Sequence, residues 1–561
     1  MLNNKKKLPT ILGVILALPF LLLILLLIVG IYLYKSANFL QPNVEVDLDK
    51  YVLSVNTDST KVCTYGSMHL NKYGLWETRL YGEPINRGAA YGVMSKDLLE
   101  FQESVFVNQI YEIISSEIWV NVLHKLTAIF NRNMAKHIPL EYREEIYAMS
   151  LSCTNKYNSY GPPYARQLNY HAAHDIGHAM QQYMLVGCSS FAIWDEESEN
   201  GELLIGRNFD FYVGDDFAQN KVILFVEPED GHNFVSVSWP GMMGVLSGMN
   251  ERGLTVTINA AKGPIPTSSA MPISLLARHI LQYATNISEA YEIAKQFQTF
   301  VSESLLIGSA EDGCAAIIEK TPTKVELYKS PISRVVCTNH YQSESFQTDG
   351  HNQSNIETSD SPYRFKRVNQ LLDELIPINT DDAIYILRNR HGVNNEDIGI
   401  CNEKSLNQFI AHHSVVFLPN ELRIWVSTSP WQLGEYVCYD LDEIFTTTDN
   451  NVTDSHAIDS LNIPADSLQL KNEFNRAIKY RKQYVEFQRA IKEQLKVEDS
   501  SIKEFIANNP TYFQVYNILG DYMMSIGNVN QAICYWKKAL SLEISRLEEK
   551  EQIINKIKKY D

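Results

Sequence analysis

The sequence predicts an α+β protein, and three observations predict it. From Gly187 to about Thr446, short strand-like runs alternate with two helical interludes. Residues 40–187 read as mainly helical, and from about 465 onward the pattern is long helices alone. Strands in one block with helices segregated around them argue for packed layers rather than a parallel βαβ repeat.

With 561 residues the chain exceeds one typical domain and can bury a large core. Its 45% hydrophobic and 20% charged residues are those of an ordinary globular protein. A formal charge of −17 without basic stripes excludes a nucleic-acid partner, since phosphate binding needs clustered Lys and Arg. The 8 cysteines are scattered and form no CxxC pair, so neither a zinc ribbon nor a disulfide scaffold is indicated.

At the N-terminus, Ile11 to Tyr34 carries no charge. At about 1.5 Å per residue it would span roughly 36 Å, more than a hydrocarbon core of about 30 Å. The expectation is a transmembrane anchor over 11–34. Lys5, Lys6 and Lys7 precede it and Glu45, Asp47 and Asp49 follow. That asymmetry puts residues 1–10 in the cytoplasm and the rest outside a bacterial cell membrane.

Within 40–187, Tyr51–Val55 is strand-like, and Asp97–Ile114 and Ile118–Phe130 carry apolar residues at helical spacing. The glycines between Tyr81 and Gly92 suit tight turns and match no nucleotide fingerprint. His171, His174 and His178 stand at i, i+3 and i+7, so one helix face would aim three imidazoles at a single zinc ion. The Glu of an HExxH site is missing. The other reading is a His-rich helix packed beneath the strands that follow.

The centre of the chain is Gly187-Cys188, which opens a strand from Ser189 to Trp194. A turn-prone segment, Asp195–Gly201, leads to a second strand at Leu203–Ile205, and Arg207 and Asp210 follow it. As a hairpin, this brings a thiol, a guanidinium and a carboxylate together. A cation favours the thiolate, and a carboxylate can hold an amine that acts as base.

Strands Val222–Glu227 and Phe234–Trp239 come next, then Gly248-Met249-Asn250-Glu251-Arg252-Gly253-Leu254, a hairpin turn feeding Leu254–Asn259. Two amphipathic helices follow, Ile273–Tyr283 and Ile287–Phe297, the second with Asn286 placed as N-cap. After strands Glu303–Gly308, Ala315–Glu319 and Val325–Lys329 stands Thr338-Asn339-His340-Tyr341. Gln342–Asp360 reads as a flexible polar loop ending at Ser361-Pro362-Tyr363-Arg364, the start of a helix to Leu375. His413–Phe417 and Leu422–Ser427 make a last strand pair. Over 465–561, Tyr516 to Leu540 fits one tetratricopeptide-like (TPR-like) helix pair, with small residues at Gly520, Gly527, Ala532 and Ala539 where the helices meet.

These motifs, in this order, resemble the N-terminal-nucleophile (Ntn) hydrolases of the choloylglycine hydrolase and acyl-CoA:6-aminopenicillanic acid acyltransferase group. The resemblance covers 187–446 well and 75–186 loosely. It implies an αββα sandwich over 188–446, two sheets between helical layers. It implies that the protein cuts its own Gly187–Cys188 bond, releasing a pro-segment over 40–187. Cys188 is then nucleophile and, through its new α-amine, base; Arg207 and Asp210 support it. Asn250 is expected to line the pocket, Asn339 to form part of the oxyanion hole, and Arg364 to face the site. The implied activity is amidohydrolase or acyltransferase chemistry on a linear N-acyl amide through an acyl-cysteine, with no cofactor. Two alternatives stand beside it: a zinc-dependent hydrolase using His171, His174 and His178, and a non-catalytic anchored scaffold whose TPR-like helices receive a protein partner.

Overall fold

The computed structural model describes residues 23–34, 41–114, 116–172, 175, 185–447 and 455–560. Two antiparallel-rich sheets lie face to face with helices on both outer sides. Among the described residues the larger sheet has 11 strands. Its central strands are Trp76–Gly82, Val222–Pro228, Phe234–Ser238, Ser247–Asn250, Leu254–Ala260, Glu303–Ser309 and Cys314–Lys320. The smaller sheet runs Arg334–Cys337, Ser189–Ile193, Leu204–Tyr212, Ala411–Leu418, Arg423–Ser427, Tyr436–Asp440, with Leu185–Val186 also pairing on Leu204–Tyr212.

Period-two alternation explains the layering. Ala192, Ile205, Val235, Val237, Leu306, Ile317, Val415 and Phe417 point between the sheets and make one core. Their neighbours on the same strands, Phe191, Ile193, Leu204 and Val416, point outward. There they pack on Val368, Leu371 and Leu372 of helix Ser361–Leu375 and on Ile384 and Leu387 of helix Thr380–Leu387. The outer face of the larger sheet is covered by helices Pro84–Met94, Leu140–Ser150, Ile273–Tyr283 and Ile287–Gln296, through Ala90, Ile146, Ile280 and Ala290 among others. Asn286 caps the last of these, its side chain accepting from Glu289 N at 3.0 Å. The result is the α/β/β/α order of an Ntn-like α+β fold.

Three regions depart from the sequence reading. Residues 55–82 form four strands, Val55–Asn56, Thr60–Cys63, Gly66–Leu70 and Trp76–Gly82, before the helices begin. The last pairs in parallel with Val222–Pro228, so this segment is part of the larger sheet. The polar run 342–360 is folded into helices Glu344–Gln347 and Gly350–Thr358, the second capped by Asp349, which accepts from His351 N and Asn352 N.

The third departure is a correction. Of the apolar run 11–34, residues 11–22 lie outside the described residues, as do residues 1–10. The helix at 23–34 is about 18 Å long at ~1.5 Å per residue, short of a hydrocarbon core. Among the described residues no helix is long and apolar enough to cross a membrane. The expected transmembrane anchor, and the single-pass placement of the chain in a bacterial cell membrane derived from it, therefore have no support in the fold.

From Ser467 on the described chain is helical, with Asn475–Glu493, Asp499–Asn508, Phe513–Ser525, Val529–Leu540 and Leu547–Tyr560 packed around Phe487, Phe505, Leu519 and Trp536. These helices are joined to the sandwich by specific contacts. The Asn509 carboxamide accepts from Ile400 N at 2.9 Å and donates to Ile400 O at 2.7 Å.

Candidate active site

Leu185–Val186 and Ser189–Ile193 both pair with Leu204–Tyr212, and the Gly187–Cys188 step is a break between them. Across the break Gly187 N donates to the main-chain oxygen of Asp210 at 3.1 Å. The register therefore puts the Gly187–Cys188 bond opposite Asp210 and leaves Arg207 paired with Ser190. All three predicted groups, Cys188, Arg207 and Asp210, are fully buried at the junction of the two sheets.

Arg207 is the hub. One terminal nitrogen lies 3.7 Å from Cys188 Sγ and donates to Ile258 O at 2.5 Å. The other donates to Leu246 O at 3.1 Å, to Ser247 Oγ, and lies 3.3 Å from His413 Nε2. The guanidinium also stacks over Phe209, 4.4 Å from the ring centre. Fixed partners on both sides leave this side chain little freedom to move.

Burial, the largest influence, pushes the Cys188 thiol up to about 11; Arg207 and Arg364 pull it down, while Asp210 and Glu303 push it further up. Arg207 thus favours the thiolate, as expected, but desolvation outweighs it and the thiol is protonated at neutral pH. Burial likewise lifts the Asp210 carboxyl to about 8, against the pull of Arg364 and Arg207. Neither carboxylate oxygen of Asp210 has a hydrogen-bond partner among the described residues. Lifted that far, the group is a neutral carboxyl at neutral pH, and leaving its buried oxygens unpaired beside Cys188 is costly.

Arg364, on the first turn of Ser361–Leu375, is brought into the same site. It donates to Cys188 O at 2.6 Å, Ser189 Oγ at 2.9 Å, Asn339 Oδ1 at 2.7 Å and Asp360 Oδ1 at 2.9 Å. Asn339 follows strand Arg334–Cys337, which pairs with the Cys188 strand. With its Oδ1 held by Arg364, the Asn339 amide nitrogen donates to Ala260 O at 2.8 Å. Asn355, from the polar run read as a loop, donates to Asn339 O at 2.5 Å and pins this turn.

Asn250 is not brought to the thiol. Its amide nitrogen donates to Leu281 O and Ala284 O at 2.8 and 2.9 Å, and its oxygen accepts from Arg252 N and Leu254 N at 3.0 and 2.9 Å. It holds the hairpin turn and a helix end. The asparagine that reaches the site is Asn259, at the other end of strand Leu254–Ala260. It accepts from Ser190 Oγ at 2.9 Å and donates to Cys337 O at 2.9 Å, joining the Cys188 strand to the Asn339 turn.

Sequence reasoning also missed His412 and His413. Their Nδ1 atoms lie 2.9 Å apart, and His413 Nε2 lies 2.7 Å from Ser247 Oγ. Burial drives both well below the usual histidine range, so both are neutral behind Arg207. An adjacent His pair inside an apolar strand was the available signal.

The three-histidine zinc site is not assembled on the residues seen. His174 and His178 lie outside the described residues. His171 is buried, with Nδ1 2.7 Å from Gln167 O and Nε2 accepting from Met243 N at 2.9 Å. Both ring nitrogens are therefore committed to main-chain groups, which leaves none for a metal.

A buried thiol at a strand break, a fixed guanidinium and an unpaired carboxyl group thus meet between two sheets, in the positions that the sequence reading expects of an Ntn-type site. Residues 196–429 match the family model described as "Acyl-coenzyme A:6-aminopenicillanic acid acyl-transferase". The matched segment contains Arg207, Asp210, Asn339 and Arg364 and begins just beyond Cys188.

Among curated proteins, one of Archaeoglobus fulgidus described as uncharacterized is 26% identical over 254 residues, 42% of this chain and 42% of its own length. Protein dcd1B of Dictyostelium discoideum is 25% identical over 272 residues, 44% of this chain and 51% of its own. The chain thus spans about half or less of these relatives. Among solved structures, a Caenorhabditis elegans ortholog of N-acylethanolamine-hydrolyzing acid amidase superposes with a TM-score of 0.31 at 16% identity, covering 42% of this chain and 93% of that one. A mutant conjugated bile acid hydrolase from Clostridium perfringens gives 0.32 at 14% identity, covering 48% and 96%.

Proposed function

We propose that the protein is a self-processing cysteine amidohydrolase or acyltransferase. It cuts its own Gly187–Cys188 bond and then carries the acyl group of a linear N-acyl amide on Cys188. The observation that carries this reading is the bare, buried carboxylate of Asp210 opposite the Gly187–Cys188 bond. In the uncut chain this carboxylate has nothing to bind among the described residues. Cleavage would turn the Cys188 amide nitrogen into an α-amine on the strand segment facing it, and the two would pair.

The chemistry then follows. Arg207 supplies positive charge beside Cys188 Sγ, and the α-amine takes the thiol proton. The thiolate attacks the amide carbon of the substrate, and the Asn339 amide nitrogen, turned from Ala260 O, holds the oxyanion. Such a donor is worth roughly 3 kcal/mol of transition-state stabilisation. The leaving amine takes a proton from the α-ammonium, and water or a second amine accepts the acyl group. The match of residues 196–429 to an acyl-transferase family model supports acyl transfer as the chemistry.

The test is intact mass and N-terminal sequencing of the purified protein beside Cys188→Ala. A new chain beginning Cys-Ser-Ser-Phe in the wild type alone is the expected result. An uncut wild type would sink the reading, because no α-amine would then exist to act as base.

A further inference from the structure

We propose that Gln408 is a catalytic residue of self-cleavage: its side-chain amide holds the oxyanion that forms on Gly187. This rests on the self-processing reading above. The Gln408 Nε2–H donates to the Gly187 carbonyl oxygen at 3.4 Å, a bond that would tighten as that oxygen gains charge. The side chain is 3% exposed, so its dipole acts in a dry site where such a donor is worth most.

The groups serving the substrate reaction are engaged elsewhere in the uncut chain. Arg364 reaches the next carbonyl, Cys188 O, and the Asn339 amide nitrogen is on Ala260 O. The carbonyl attacked during maturation is therefore met by its own donor, on the segment leading into strand Ala411–Leu418.

The fit is close on both sides. A Cβ on residue 187 would lie 2.7 Å from Gln408 Nε2 and 3.2 Å from Oε1. Glycine at 187 thus clears the path of the thiol and also leaves room for the amide that stabilises the product of attack.

The main chain around Gln408 is pinned. Asn407 N donates to Asn389 O at 2.9 Å, and the Asn407 carboxamide accepts from Phe409 N at 3.1 Å. Arg481, from the C-terminal helices, donates to Phe409 O at 2.5 Å. The donor is thereby preorganised, which is what makes it effective.

The step balances. Cys188 Sγ bonds to Gly187 C while its proton is delivered to the departing nitrogen. The Gly187–Cys188 C–N bond breaks, and a thioester and the α-amine result. One water then splits the thioester into the Gly187 carboxylic acid and the Cys188 thiol. Gln408 exchanges no atom; it holds the oxygen while negative charge resides there.

The test is the first-order rate at which the chain beginning at Cys188 appears by intact mass, at one pH, for wild type, Gln408→Ala and Gln408→Glu. Glu has the shape of Gln without the N–H donor, so it separates donation from packing. Both variants are expected to cleave on the order of 10²-fold more slowly. Wild-type rates in Gln408→Glu would overturn the proposal, whatever Gln408→Ala does.

Gly187→Ala adds an independent arm. It is expected to be slow, and Gly187→Ala/Gln408→Ala is expected to stay slow, because relieving the clash also removes the donor. Recovery of the double variant to the wild-type rate would make Gln408 a packing residue and refute the proposal. Wild type that never cuts would instead remove the self-processing reading on which this one rests.

Discussion

The Arg364 guanidinium ties Cys188 to Asn339, donating 2.6 Å to the nucleophile's carbonyl oxygen and 2.7 Å to Asn339 Oδ1. Because the oxygen of Asn339 is taken by a donor-only group, the other end of its amide must be the nitrogen, which donates to Ala260 O. One arginine thus fixes the main chain of Cys188, the proposed nucleophile, and the orientation of the Asn339 amide, the proposed oxyanion donor. Lysine cannot reproduce a fork with two terminal nitrogens serving separate acceptors. Arg364→Ala should cost about 3 kcal/mol by leaving buried Asp360 short of its partner, read as a shift of the urea midpoint. Arg364→Lys should be milder in stability yet cut self-cleavage roughly 10-fold or more through the lost fork. Equal cleavage rates in wild type and Arg364→Lys would refute the orienting role.

Asp210 gives a pH signature with a defined sign. Its carboxyl is lifted from 3.8 to about 8 by burial. Between roughly pH 4 and 8 the folded, uncut chain therefore keeps a proton that the unfolded chain has released. Stability falls as pH rises through that window. The comparison to make is Cys188→Ala against Cys188→Ala/Asp210→Asn, both uncleavable, with every other titrating group in common. The single variant should lose stability relative to the double one from pH 4 to 8. Parallel profiles would show that Asp210 is ionised throughout.

Asn250 and Asn339 should separate cleanly. Removing the Asn250 carboxamide strands main-chain groups at Leu254, Leu281 and Ala284, at about 1–3 kcal/mol for each buried group left unpaired. Asn250→Ala should therefore lower the thermal midpoint sharply. Once cleaved and folded at low temperature, it should turn over an N-acyl amide within a few-fold of wild type. Asn339→Ala should show the reverse, a turnover loss of roughly 10²–10³-fold with a smaller change in midpoint. A turnover loss in Asn250→Ala matching that of Asn339→Ala would place Asn250 in the chemistry after all.

The reason Asn250 was expected at the pocket and Asn259 was missed lies in register. Asn250 ends strand Ser247–Asn250 and Asn259 lies near the far end of the next strand, Leu254–Ala260, and the motif spacing does not say which end faces Cys188; pairing of Asn259 with Ser304, and its bond to Ser190, do. The strands around the Gly-Cys step were readable because apolar side chains recur at alternate positions. Trp76–Gly82 was not, because it buries Glu77, Thr78 and Arg79. Those charges are satisfied by distant partners: Glu77 by Tyr439 and His456 N, Arg79 by Glu227. Polarity at 342–360 misled in the same way, since Asn352 and Asn355 serve buried carbonyls of Tyr341 and Asn339.

The strand Trp76–Gly82, read from sequence as part of a mainly helical pro-segment, would decide the fate of the two chains that the proposed self-cleavage produces. It pairs residue for residue with Val222–Pro228, and Leu80, Ala90 and Ile146 share a core with Leu224 and Ile258. Cutting at Gly187 breaks none of these contacts. The two chains should co-elute as one species in native size exclusion and separate only in denaturant. Elution of a free N-terminal chain under native conditions would contradict this.

Gly399 tests how firmly the C-terminal helices are joined to the site. It has φ +89, and a Cβ there would lie 2.5 Å from Tyr512 Cβ and 2.6 Å from Tyr512 N. Alanine therefore adds left-handed strain of about 1–2 kcal/mol to a clash with main chain that cannot swing aside. Relief requires the helices to shift, which would strain the Asn509 pairing with Ile400 and the grip of Arg481 on Phe409 O beside Gln408. Gly527 is the control, since it has φ +80 but nothing within 4 Å of an added Cβ. Gly399→Ala should expose residues 465–560 to limited proteolysis before the sandwich and slow self-cleavage. Gly527→Ala should lose only the strain term and cleave at the wild-type rate. If Gly399→Ala matched Gly527→Ala in both assays, the helices would be docked too loosely to hold Gln408 in place.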